Sequence, residues 1–145
     1  MKQSLTLLAL LALGSLQAQV WQDSYPQAMA LVQEGDRPLM LVFSGSDWCA
    51  PCIRMKRQIL DSPEFEAYAA ERLVLYNADF PKKKQNQLSA EQESVNRSLA
   101  EKYNPKGFFP LIVVLDKKGQ VLGETGFYPR YGPKKYLELF NKYIQ

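Results

Sequence analysis

Leu39-Met40-Leu41-Val42-Phe43-Ser44-Gly45-Ser46-Asp47-Trp48-Cys49-Ala50-Pro51-Cys52 is the stretch on which the fold turns. Its first five residues form an unbroken apolar run, the pattern of a strand buried on both faces. Gly45-Ser46-Asp47 interrupts that run as a loop, with Asp47 or Ser46 placed to cap a helix beginning near Cys49. The helix can continue to about Leu60, with Cys52, Ile53, Ile59 and Leu60 roughly on one side.

The two cysteines are the only ones in the chain and stand two residues apart. A bridge over so short a loop removes little entropy from the unfolded chain, so it is a poor staple. Two sulfurs where a strand turns into a helix suit electron exchange better. The helix mouth offers unpaired N–H groups and the positive end of the macrodipole, and both favour a thiolate at Cys49. Cys52, one turn further in, can then attack a mixed disulfide formed there. Pro51 is tolerated in a first turn because its missing N–H has no helical partner. The competing reading is an inert buried pair or a minor bridge.

Bulk properties narrow the classes. A chain of 145 residues suggests one domain. A net charge of +3 is too small to argue for nucleic acid or a membrane surface as partner. The absence of histidine excludes imidazole acid–base chemistry and mixed Cys/His zinc sites. Two cysteines cannot close a tetrahedral zinc site by themselves, so no metal is expected. Met29, Met40 and Met55 read as core filler. Lys2, the apolar run Leu5 to Leu13 and Leu16-Gln17-Ala18 read as a secretory signal over residues 1–18, with an uncleaved anchor as the alternative. The domain then spans residues 19–145, in an oxidising compartment where a CxxC can cycle.

Further along, Ser24 to Gln33 has helical spacing and Gly35 to Pro38 breaks it. Asp61-Ser62-Pro63-Glu64 starts a short helix through Tyr68 and Ala69. Leu73 to Tyr76 is a second buried strand. Phe80 to Leu88 is polar, and Lys82-Lys83-Lys84 reads as a solvated loop or a docking patch for an acidic partner. Ser89 and Gln92 form a capping box for a helix with Val95, Leu99 and Tyr103 on one face. Leu111 to Leu115 is a third strand, and Asp116 to Gln120 a hairpin loop into Val121-Leu122. Pro133 opens a last helix with Tyr136, Leu137, Leu139, Phe140 and Ile144 on its apolar side. Alternating helices and strands with a terminal hairpin predict an α/β layer fold with a mixed sheet.

With the strand, Trp48-Cys49-Ala50-Pro51-Cys52 opening a helix, and Phe109-Pro110 leading into a strand and hairpin, the chain resembles the thioredoxin superfamily. Residues 43–49 are similar to secreted thioredoxin-like proteins of bacterial envelopes and to the C-terminal thiol domain of DsbD. The resemblance implies a single thioredoxin-like domain with a central mixed sheet flanked by helices. It implies Cys49 as the exposed attacking cysteine, Cys52 as the buried resolving one, and Pro110 as a cis-proline that leaves the backbone of Phe109 free to pair with substrate. Trp48 would then sit at the substrate rim, and Asp47 and Pro51 would support the site. Gly126 and Phe127 would lie near the dithiol if the family's loop is retained. The family's buried strand carboxylate aligns with Phe43, so the proton acceptor for Cys52 is missing or supplied elsewhere. Ala50 replaces the family's glycine, and Phe80 to Glu93 looks like an insertion.

The resemblance points to a thiol–disulfide oxidoreductase of the bacterial envelope, periplasmic or secreted, acting as a monomer on disulfide-containing envelope proteins. It would need no cofactor beyond the Cys49–Cys52 pair and would draw electrons from a membrane-linked donor. Proline before the second cysteine favours the reducing direction. An oxidant or isomerase, and a slow or non-catalytic binding module on the same scaffold, are the alternatives.

Overall fold

A computed structural model describes residues 21–145, so the leader expected over residues 1–18 lies outside the described residues. Strand β1 (Leu39–Ser44) is entirely buried, and its alternate side chains enter two different cores. Met40 and Val42 belong to one, while Leu39, Leu41 and Phe43 belong to the other. This is why the run lacks polar alternation: the strand has helices on both sides.

Strand β2 (Val74–Asp79) pairs parallel to β1, with Leu39 opposite Val74 and Ser44 opposite Asp79. Strand β3 (Leu111–Leu115) pairs antiparallel on the other side, and β4 (Val121–Thr125) pairs antiparallel to β3. The order β2-β1-β3-β4 is the mixed sheet that the terminal hairpin predicts. Trp21 adds a single parallel bridge to Leu75 at the β2 edge.

Five α-helices complete the described residues. Helix α1 (Tyr25–Glu34) and α4 (Ala90–Tyr103) bury Ala28, Val32 and Leu99 on the Phe43 face. Helices α2 (Ala50–Met55), α3 (Pro63–Arg72) and α5 (Pro133–Tyr143) bury Met55, Phe65, Ala69, Tyr136 and Phe140 on the opposite face. Met40 and Met55 are fully inside and Met29 is partly covered, in keeping with a packing role. The two faces give a three-layer helix–sheet–helix domain.

Two boundaries and one cap differ from expectation. The helix predicted to run from Cys49 to Leu60 widens after Met55 into a π-helical turn, Lys56–Leu60. The wider turn lets the adjacent residues Ile59 and Leu60 both enter the core. The third helix runs three residues beyond Ala69, to Arg72, capped by the Ser62 hydroxyl on Phe65 N–H at 3.2 Å. Only half of the Ser89/Gln92 box forms. Ser89 Oγ accepts from the Gln92 N–H at 3.2 Å and donates to Gln92 Oε1 at 3.4 Å, while Gln92 Nε2 donates to the Asp23 carbonyl at 3.1 Å in place of a return bond to the Ser89 N–H.

Candidate functional site: a dithiol at a helix mouth

The end of β1 delivers the chain into Gly45-Ser46-Asp47-Trp48, and a network of polar side chains fixes that loop. Asp79, at the end of β2, accepts the Ser46 N–H at 2.8 Å and the Ser46 hydroxyl. Ser44 Oγ donates to Asn77 Oδ1 at 2.8 Å and approaches Asp79 Oδ1 at 3.3 Å. Gly45 is required by Trp48, because a Cβ there would overlap the indole. Neither Ser46 nor Asp47 caps helix α2. The N-cap is Cys49 itself, whose Sγ accepts the Cys52 N–H at 3.3 Å.

Asp47 is drawn outward instead. Its carboxylate accepts the Lys82 and Lys83 N–H groups at 2.9 Å each and the Asn86 side-chain amide at 3.0 Å. These donors, the Lys82 N–H foremost, hold its pKa below the usual carboxylate value. Trp48 Nε1 donates to the Phe80 carbonyl at 2.7 Å, and its ring lies 5.6 Å from that of Phe109. Phe80 meets Phe109 edge-on from the other side, also at 5.6 Å. The segment read as an insertion is thus bound to the rim of the cysteine loop.

Cys49 and Cys52 are joined as a disulfide. Both are 5% exposed, which corrects the expectation that Cys49 alone would be open to solvent. Cys49 turns its sulfur inward to bond Cys52 and to accept its N–H, and that turn takes it out of water.

The Phe109–Pro110 peptide is cis, as the resemblance implies. Pro110 borders two cavities. One, of about 420 Å³, lies between α2 and the sheet, with Val42, Ser44, Cys52, Met55 and Asn77 in its lining. The other, of about 460 Å³, opens past Pro51, Phe109, Gly126, Phe127 and Tyr128. Pro51, Phe109 and Pro110 therefore share one cleft, with Gly126 and Phe127 forming its far wall.

The sequence from residue 20 to 117 matches a family model described as thioredoxin-like. The chain belongs to the thioredoxin-like family. It is 39% identical over 110 residues to the disulfide bond reductase DsbH of Chlamydia pneumoniae, covering 76% of this chain and 64% of that one. The chain thus spans less than two thirds of that relative's length. A solved DsbH oxidoreductase is similar at TM-score 0.79 and 33% identity, covering 99% of this chain and 94% of that one. The oxidised C-terminal domain of DsbD from Neisseria meningitidis is similar at TM-score 0.58 and 20% identity, covering 81% and 90%, a likeness of fold alone.

Phe43, which the resemblance aligns with the family's strand carboxylate, is fully buried in the core beside α1 and α4. The cavity that Cys52 lines is on the other face, where β1 contributes Val42 and Ser44. The polar side chains that share this cavity's lining with Cys52 are Ser44 and Asn77 from the sheet, with Ser46, Lys56, Asp61 and Glu66 around its rim.

Other positioning residues escaped the sequence reading. Asn104 is 4% exposed and clamps Phe108 at two points, accepting its N–H at 2.9 Å and donating to its carbonyl at 2.8 Å. That clamp fixes the approach to Pro110. Tyr136 was legible only as an apolar helix position. Its hydroxyl donates to the Gly126 carbonyl at 3.0 Å and accepts the Tyr128 N–H at 2.9 Å, and burial pushes its pKa up. Asn104 and Tyr136 thus set the two walls of the cleft.

Proposed function

We propose that the chain is a thiol–disulfide oxidoreductase of the bacterial envelope that works as a reductant through Cys49 and Cys52. The observation that carries this reading is the bridged CxxC pair at the mouth of α2, beside a cleft lined by cis-Pro110. The identity with a protein named a disulfide bond reductase supports it.

In the reduced chain, Cys49 is the nucleophile. The N-cap position favours its thiolate, because the Cys52 N–H points at the sulfur and the helix presents its positive end there. The thiolate attacks one sulfur of a substrate disulfide. The substrate S–S bond breaks, and its second sulfur leaves as a thiolate that takes up a proton. Cys52 then loses its proton and attacks the Cys49 sulfur, releasing the other substrate thiol. Two electrons have passed to the substrate, and the Cys49–Cys52 bond is restored. Ser44 and Asn77 line the cavity through which the Cys52 proton would leave. The Phe109 backbone and the Trp48 ring form the surface on which an extended substrate lies. The dithiol supplies both electrons, so the cycle requires no flavin, nucleotide or metal. A membrane-linked dithiol donor regenerates the reduced form, and disulfide-bearing envelope proteins are the substrates.

Cys49→Ser is expected to abolish insulin reduction, and full turnover by that variant would exclude the mechanism. Cys52→Ala should accumulate mixed disulfides with envelope proteins, and their identification gives the substrates. The direction is tested by equilibration with glutathione. A potential nearer the ~−270 mV of thioredoxin than the ~−120 mV of a strong oxidant is expected. The opposite result would favour the oxidant or isomerase reading.

A further inference from the structure

We propose that the Lys82–Lys84 loop and Arg54 make the dithiol face a docking surface for acidic polypeptides that carry disulfides. This rests on the oxidoreductase reading and names the class of its substrate. All three lysines are exposed, which by itself would mean only a solvated loop. Its attachment is what distinguishes it. Two of its N–H groups bind Asp47, two residues before Cys49, so the run is fixed beside the reactive pair. Lys82 Nζ lies 4.1 Å from the centre of the Trp48 ring, and Trp48 directly precedes Cys49.

Across the cleft, the Arg54 guanidinium lies 5.5 Å from the centre of the Phe127 ring, on the far wall. Cations therefore stand on aromatic rings at both sides of the helix mouth. Among the described residues, the ion pairs are Lys56–Asp61, Lys117–Asp36 and Lys135–Glu138, so none of these four rim cations is neutralised by a salt bridge. Asp47 contributes an opposing charge that acts on Lys83, and Asp79, bound to Ser46, contributes a second on the same loop. Glu124 is the carboxylate in this cleft's lining, on the β4 side, while Asp61, paired with Lys56, and Glu66 line the cavity on the other side of Pro110. Trp48, Phe108 and Tyr128 add exposed apolar surface between the cations, at 40%, 58% and 50% exposure. An extended chain with a cystine over Cys49 and carboxylates on either side would meet this pattern with charge complementarity. Such steering acts mainly on the rate of encounter and is screened by salt.

The test uses the reduced protein and three disulfides: a cystine peptide flanked by Asp and Glu, the same peptide flanked by Lys, and neutral hydroxyethyl disulfide. The acidic peptide is expected to react about tenfold faster than the basic one at low ionic strength. That gap should close in about 0.5 M salt. Lys83→Gln with Lys84→Gln should bring the ratio toward one, and Arg54→Gln should lower it by a smaller factor. Lys117→Gln with Lys118→Gln removes the same charge from the opposite end of the sheet and should leave the ratio intact. Equal rates for the two peptides, or equal loss of preference from the remote pair, would overturn the proposal. Normal reaction with the neutral disulfide but no charge preference counts against this inference alone. A chain inert to the neutral disulfide counts against the oxidoreductase reading and this one with it.

Discussion

The two ends of the central sheet are held by different means. At the hairpin end, the turn from β3 to β4 is shaped by Asp116, which accepts the Lys118 and Gln120 N–H groups at 2.8 and 2.9 Å. Gly119 follows with φ of 75°, a conformation that favours glycine. Gln33 and Tyr103 touch this turn from outside, but its shape is local. At the dithiol end, the loop after β1 is shaped by partners far along the chain. Trp48 is tied to Phe80, 32 residues on, and Asp47 to Asn86, 39 residues on. One end takes its shape from neighbours in the chain, whereas the other takes it from partners brought in by the fold.

The largest expected effect at the dithiol end comes from Gly45→Ala. The added Cβ meets the Trp48 indole, and relief requires the ring to leave Phe80 and Phe109. Overpacking of this kind costs roughly 1–3 kcal/mol. A lowered Tm together with a shifted tryptophan emission is the expected result, and an unchanged emission would show that the loop gives way instead. At the hairpin end, Asp116→Ala removes both turn hydrogen bonds and should cost about 1 kcal/mol in chemical denaturation. It should leave the rate of disulfide exchange untouched, since the turn is at the opposite end of β3 from Pro110.

Asp47→Asn should change global stability less, because the carboxylate is at the surface. Its effect is local: amide exchange at Lys82 and Lys83 should accelerate by about tenfold or more as the segment loosens from the rim. Equal protection in both proteins would mean that Trp48 alone holds the segment. The smallest effect is on pH dependence. Asp47 has a folded pKa below its unfolded value, so its contribution is complete above about 3.9. It is lost as pH falls from there through the lower folded value. Trp48 emission followed through an acid titration should show this loss in the native chain and not in Asp47→Asn.

The same contrast explains what was legible in the sequence. The apolar strand runs, the hairpin, the CxxC pair at a helix start and Pro110 are written in adjacent residues or carried by a short motif. They emerge with boundaries near those predicted. The polar ties of the site are not written that way. Asp79 is one carboxylate among fifteen acidic residues, and nothing near it announces that it meets Ser46. Asn104 lies in a turn-rich break, where asparagine ordinarily serves its own backbone, yet its amide holds Phe108. Asp47 was misread for the converse reason. A polar residue just before a helix suggests a cap, but the sulfur two positions later takes that role. The burial of Cys49 was equally hidden, because it depends on which way a side chain turns.

The sulfur that closes the start of α2 is also the atom that would be consumed and regenerated in each turnover. Whatever becomes bonded to it alters how well it can receive the Cys52 amide proton. The first turn of the helix is therefore a built-in reporter. In the amide spectrum of a Cys52-labelled sample, the bridged, free and alkylated proteins should give three distinct signals, allowing occupancy of the sulfur to be followed without any added dye.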